Sequence, residues 1–215
     1  MVVPYPADQW LGYEELLPLV LSRLPDAPFA LLGESFGGPL ALMAAATRPV
    51  GLRGVILCAT FVQNPAWLRL RWLRHLARPA LFRLYPALAV AKTMLSGYST
   101  PEIRKLLGEA LRGVSPSAVA HRVRSVLEVD ARRALAECPV PILYLRGDRD
   151  LVVPRHNLTE ILTIRPSVEV ARFDAPHLVL QTQPQQVAAA IREFLDRPAV
   201  QPNRQPPLTP PAGSP

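Results

Sequence analysis

"FALLGESFGG", residues 29–38, joins a short apolar run to a helix-forming run, with Ser35 set among three glycines at the junction. A plain turn needs one glycine. The G-x-S-x-G spacing of Gly33, Ser35 and Gly37 fits a sharp strand-to-helix turn that pushes the serine Oγ out above the strand ends. In a turn that tight, side chains two positions before and after the serine meet neighbouring backbone. Gly33 and Gly37 are therefore expected to be small by necessity, and Gly38 to let the helix lie close to the sheet. The helix that follows aims its positive amino end at the same spot, where it favours developing negative charge.

Working outward, five runs read as strands: residues 1–5, 29–33, 54–60, 141–147 and 168–173. The middle three ("FALLG", "GVILCAT", "PILYLRG") are nearly all apolar, as suits strands buried on both faces of a parallel sheet. Helical patterns separate them at 12–24, with Pro18 as a kink, and at 36–47, 155–164 and 184–195. Strand alternating with helix predicts an α/β fold with a doubly wound, mostly parallel sheet. Residues 64–137 break the alternation. They read as helices without a strand, with Thr100-Pro101 and Ser115-Pro116 as helix starts, and are expected to form a helical lid inserted between two strands. The core is then 1–63 with 138–196. Residues 197–215 are expected to be disordered, since seven prolines fall in the last 18 positions without apolar periodicity.

The formal charge of +7 is uneven: residues 63–137 hold 13 of the 24 basic residues and 5 of the 17 acidic ones. In "WLRLRWLRHLARP", Arg71, Arg74, His75 and Arg78 share a helical face. The expected role is a solvated face, with reception of an anionic substrate or an anionic membrane surface as the sharper alternative. The basic residues alternate with leucine, and no binding motif for nucleic acid is present. Cys58 and Cys138 fall at a strand end and a strand start, too far apart to bridge, so both are expected as free buried thiols, which fits a cytoplasmic location. No apolar run of membrane-spanning length and no metal-ligand spacing appears.

A nucleophilic serine needs a base, and the base needs an orienting acid. Among four histidines, His75 and His121 lie in the basic interval and His156 near a helix start. His177, in "FDAPHLVLQTQP", follows a strand and precedes the last helix, at the sheet edge where Ser35 is expected. The acid comes from "YLRGDRDLVVP", as Asp148 or Asp150. Serine, acid, histidine is the chain order expected when the nucleophile sits on a strand–turn–helix elbow.

These three motifs ("LLGESFGGPLAL", "PILYLRGDRDLVVP" and "APHLVLQTQP" leading into "AAAIREFL") resemble the α/β-hydrolase superfamily over residues 1–196, in particular its small lid-bearing carboxylesterases. The resemblance implies Ser35 as nucleophile, His177 as general base and then acid, and Asp150 instead of Asp148 as the acid three residues after the glycine. It implies Phe36 N–H as one oxyanion donor, a small-molecule ester as substrate, an acyl-enzyme intermediate and no cofactor. Trp67, Trp72, Phe82, Tyr85 and Tyr98 are candidates for packing the lid or lining an acyl pocket. In the family's order of eight strands, residues 1–5 correspond to strand four and "FALLG" to strand five. Strands one to three, and the loop that carries the second oxyanion donor, have no counterpart. The expectation is a serine esterase read from a point inside the fold. The alternative is an impaired or non-catalytic binding module on the same frame.

Overall fold

The computed structural model describes residues 1–65, 93–98 and 100–200. In chain order the elements are α1 (Tyr13–Leu21), β1 (Phe29–Glu34), α2 (Gly37–Ala46), β2 (Leu52–Cys58), α3 (Pro101–Arg112), α4 (Pro116–Glu128), α5 (Arg132–Ala136), β3 (Ile142–Gly147), α6 (Arg155–Ile164), β4 (Glu169–Phe173), α7 (Val179–Thr182) and α8 (Pro184–Leu195). The four strands form one sheet in the order β1-β2-β3-β4, every pair parallel. The α/β expectation holds.

Side chains alternate across the strands with period two. Val55, Leu57, Ile142 and Tyr144 face a layer built by α2, α5 and α6. Ile56, Cys58, Leu143 and Leu145 face the opposite layer, where Val179, Val187 and Phe194 of α7 and α8 meet them. Helices thus cover both faces. Each such fully buried aliphatic side chain contributes about 1.5–3 kcal/mol. α1 packs on α2 in a third cluster through Leu16, Val20, Leu40 and Ala44. Pro18 stays inside α1, whose first turn is closed by the Gly12 N–H donating to Glu15 Oε2 at 2.9 Å.

Several expectations need correction. Residues 1–5 join no strand of the described sheet. Pro4 and Pro6 remove two of the N–H donors a ladder requires. Side-by-side contacts hold this stretch instead: Arg122 Nη2 donates to Pro6 O at 2.6 Å, the Ser115 N–H donates to Ala7 O at 3.0 Å, and Val3, Tyr5 and Leu11 pack against the α1–α2 cluster. β1 is not buried on both faces like β2 and β3. It is an edge strand of the described sheet, and Leu32 is 44% exposed. The chain stays ordered past residue 196: it turns through Arg197 and buries Val200 among the α8-side residues, beside Gly54 and Phe194. Residues 201–215 lie outside the described residues.

The interval between β2 and β3 carries α3, α4 and α5 and, among the described residues, no strand beyond an isolated Gln63–Asp130 bridge. Thr100 and Ser115 cap α3 and α4 as expected, accepting from Ile103 N–H (3.3 Å) and Ala118 N–H (3.1 Å). α5 belongs to the core, since Leu135 is fully buried against α2 and β2. Residues 66–92 lie outside the described residues, and with them Trp67, Trp72, Phe82, Tyr85 and the basic face of Arg71, Arg74, His75 and Arg78. Both cysteines are free and buried. Among the described residues no helix is long and apolar enough to cross a membrane.

Candidate active site

Parallel strands all end at one rim, so three distant parts of the chain meet there. Ser35 follows β1, and its backbone φ is +49°, a conformation that costs about 1–3 kcal/mol and persists only when the surroundings enforce it. The enforcement is visible. The Ser35 N–H donates to Cys58 O at 2.9 Å, while Ser35 O accepts from the Gly38 N–H at 3.1 Å and from Thr60 Oγ1 at 2.5 Å. Thr60 is itself pinned by the buried Tyr144 phenol, which accepts from the Thr60 N–H (3.1 Å) and donates to Thr60 O (2.8 Å). Burial pushes that phenol's pKa upward, so it remains a donor.

The glycines of the turn play unequal parts. A Cβ at Gly33 would come within 2.7 Å of the Gly37 carbonyl carbon, and one at Gly38 within 2.5 Å of Thr60 Cγ2. Gly37 does not share this constraint: a Cβ there meets only Tyr5 Oη, at 3.6 Å. The expected steric need at Gly37 is therefore corrected, because the turn bends its backbone toward Gly33 and leaves that outer side open.

His177 lies in the loop between β4 and α7, and Asp150 in the loop after β3. His177 Nε2 stands 2.9 Å from Ser35 Oγ, and His177 Nδ1 stands 2.9 Å from Asp150 Oδ2. The other Asp150 oxygen, Oδ1, accepts from the Val152 and Val153 N–H groups at 2.7 and 2.9 Å. An ionised carboxylate only accepts, so the imidazole proton belongs on Nδ1, leaving a lone pair on Nε2 toward the serine. The imidazole is 1% exposed, and water does not compete for these bonds. Asp148 is elsewhere: it accepts from Arg172 Nε and Nη2 at 3.0 and 2.7 Å on the surface. His121 lines a cleft of about 440 Å³ between α1 and α4, and His156 stands beside Asn157 on α6. Neither joins Ser35.

Further residues complete the site, and of these the sequence singled out only Tyr98 and Phe36. Gly147 ends β3 where the Ala175–Pro176 backbone passes, and a Cβ there would meet Ala175 O at 2.7 Å. Arg146, 2% exposed, donates from Nη1 to Val153 O at 2.9 Å and closes the loop that presents Asp150. Thr60 and Tyr144 are polar groups in apolar strand runs, the one signal that marked them. Tyr98 lies on the rim, its ring 5.1 Å from the Arg149 guanidinium. Phe36, at the amino end of α2, stacks on Tyr13 at 4.5 Å and meets the edge of Tyr5 at 6.0 Å.

The sequence profile of the Alpha/beta hydrolase family matches residues 4–190. The chain belongs to the alpha/beta hydrolase family. A pimeloyl-[acyl-carrier protein] methyl ester esterase of Neisseria meningitidis serogroup A is 29% identical over 184 residues, which cover 80% of this hydrolase-family chain and 58% of that protein. The esterase of the same name from Xanthomonas oryzae pv. oryzae is 30% identical over 195 residues, covering 83% of the chain and 76% of the relative. The chain thus spans little more than half of the first relative and about three quarters of the second. Among solved structures, a thermophilic esterase from Thermogutta terrifontis superposes with a TM-score of 0.71 at 23% identity, covering 89% of the chain and 74% of its own. A hydrolase from Oleispira antarctica gives 0.73 at 14% identity, covering 86% and 72%. These two likenesses establish the fold of the hydrolase-family chain.

Proposed function

We propose that the protein hydrolyses carboxylic esters through an acyl-enzyme intermediate on Ser35. One observation carries the reading: an unbroken chain from Ser35 Oγ through the His177 imidazole to the Asp150 carboxylate, 2.9 Å at each link. His177 Nε2 takes the hydroxyl proton as Oγ bonds to the ester carbonyl carbon. Asp150 keeps the imidazole in its tautomer and balances the positive charge that forms. The carbonyl oxygen becomes an oxyanion facing the Phe36 N–H at the amino end of α2. Collapse breaks the bond to the alkoxy group, which leaves as an alcohol with the proton from His177. Water then repeats both steps and releases the acid. These steps use side chains, backbone and water alone.

The activity for which the relatives are named supports ester hydrolysis, and a methyl ester on an extended acyl chain is the substrate to test first. The experiment compares wild type with Ser35→Ala on p-nitrophenyl butyrate and on a dicarboxylic acid monomethyl ester, and locates a fluorophosphonate adduct by mass spectrometry. Turnover lost in the variant and an adduct on Ser35 support the reading. Turnover that survives Ser35→Ala removes Ser35 from its role. A folded wild type that neither turns over nor labels favours a binding module on this frame.

A further inference from the structure

Glu34, the last residue of β1, sits directly before Ser35 and takes no part in the steps above. Its Oε2 accepts from Gln181 Nε2 at 3.1 Å. Its Oε1 is enclosed and has no hydrogen-bond partner. A buried carboxylate oxygen without a donor is costly, so a carboxylate kept there calls for a compensating use. The groups facing it come from three elements. Cys58 stands opposite in the β1–β2 register, and burial pushes that thiol's pKa up, with the charges of Glu34 and Asp150 adding to it. Gln181 faces it from α7, four residues beyond His177. Burial pushes the Glu34 pKa up, and the Gln181 bond and the positive form of the His177 imidazole, which stands 2.9 Å from the Oγ of the neighbouring Ser35, oppose that rise. Among the described residues no Lys or Arg bonds to Glu34.

We propose that Glu34 is a positioning residue of the Ser35 site: a second carboxylate, besides Asp150, whose charge favours the His177 imidazolium and whose bond to Gln181 ties α7 to the serine turn. This rests on the reading of Ser35 and His177 given above. Attraction is reciprocal, so an ion that favours the Glu34 carboxylate is itself favoured by it. With two carboxylates near one imidazole, the cation formed when Ser35 loses its proton is held from two sides. Gln181 adds a mechanical link. It sits four residues past His177, and its amide meets the residue that precedes the nucleophile, which links the histidine loop to the serine turn.

The test compares wild type, Glu34→Gln and Glu34→Asp. The histidine ring signals are followed by NMR against pH, with His177 assigned by its loss in His177→Ala, and the acid limb of ester hydrolysis is followed against pH. In Glu34→Gln the ring titration of His177 and the acid limb both move to lower pH by about 0.5 unit or more, and in Glu34→Asp they return toward wild type. A ring titration in Glu34→Gln that overlays wild type overturns the proposal, with or without turnover. Ester hydrolysis surviving Ser35→Ala overturns the reading of the function instead, and leaves the ring comparison standing. Glu34→Asp keeps the charge, so a shift present in both variants reports altered packing and also overturns the proposal.

Discussion

His177 Nε2 and Ser35 Oγ lie 2.9 Å apart, although 142 positions separate the two residues along the chain. The contact exists because β1 and β4 run in the same direction and end at the same rim, with the intervening strands setting the lateral distance. Everything else in the site serves to hold that spacing: Asp150 behind the imidazole, and Thr60 and Cys58 behind the serine backbone.

Asp150 and Asp148 are expected to separate cleanly on substitution. Asp150→Asn breaks the acceptor that sets the His177 tautomer and lowers kcat by about 10⁴-fold. Asp148 makes an exposed ion pair with Arg172, worth about 0–1 kcal/mol, and Asp148→Asn leaves kcat/KM within about twofold. Steady-state kinetics of both variants on one ester check this. Comparable losses in the two would break the assignment.

The glycines of the turn predict opposite outcomes for the same change. Gly38→Ala drives a methyl group into the Thr60 side chain, which is held by its Oγ1 bond to Ser35 O while Tyr144 holds the Thr60 backbone. A loss of about 1–3 kcal/mol follows, seen as a fall in Tm of roughly 2–4 °C per kcal/mol. Gly37→Ala meets Tyr5 Oη at ordinary contact distance and leaves Tm close to wild type. Thermal unfolding followed by circular dichroism distinguishes them.

Gly147→Ala acts on chemistry through geometry. The added methyl presses on Ala175 O, two residues before His177, and moves the imidazole away from Ser35. A displacement near 1 Å costs about 100-fold in rate. kcat/KM is therefore expected to fall far more than stability does, as read by activity assays alongside denaturant unfolding.

Tyr144→Phe removes the phenol that both accepts from and donates to the Thr60 backbone. Two buried backbone groups lose their partner, costing about 1–3 kcal/mol for each group left unsatisfied. Urea unfolding should show a lower midpoint with an unchanged slope.

Glu34 gives a pH-dependent stability. Burial is the largest cause and raises its folded pKa above the unfolded value, with the Gln181 bond and His177 partly opposing it. A raised carboxyl contributes its stability below the unfolded pKa and loses it as pH rises through the folded pKa. Glu34→Gln carries no such loss. Its Tm is expected to match wild type below the ordinary carboxyl range and to exceed it once pH has risen through the folded pKa of Glu34. A difference independent of pH would contradict the sign.

Local chemistry legible in the chain accounts for much of this. The alternation of apolar runs and helical patterns fixed the class, since runs such as "GVILCAT" lack the polar face an exposed strand shows. Thr100-Pro101 and Ser115-Pro116 marked two helix starts because caps are local interactions. Where reading failed, the missing information was non-local. "FALLG" looks like a strand covered on both faces, yet Leu32 is exposed, because coverage depends on neighbours that the run does not contain. Residues 1–5 look like a strand, but pairing needs a partner edge. Val200 looks like tail until Phe194 and Gly54 offer it a place.

By itself the sequence determined that a serine would stand on a tight turn at the end of a parallel strand, and it ordered the acid and the histidine after it, because turn geometry and strand periodicity are properties of neighbouring residues. Only the tertiary structure decided that Asp150 faces His177 while Asp148 faces Arg172, that Thr60 and Tyr144 brace the serine turn, and that Glu34 Oε1 is enclosed while its Oε2 meets Gln181. Those outcomes depend on which side chains the packed layers bring within a few ångströms, a distance no stretch of sequence specifies.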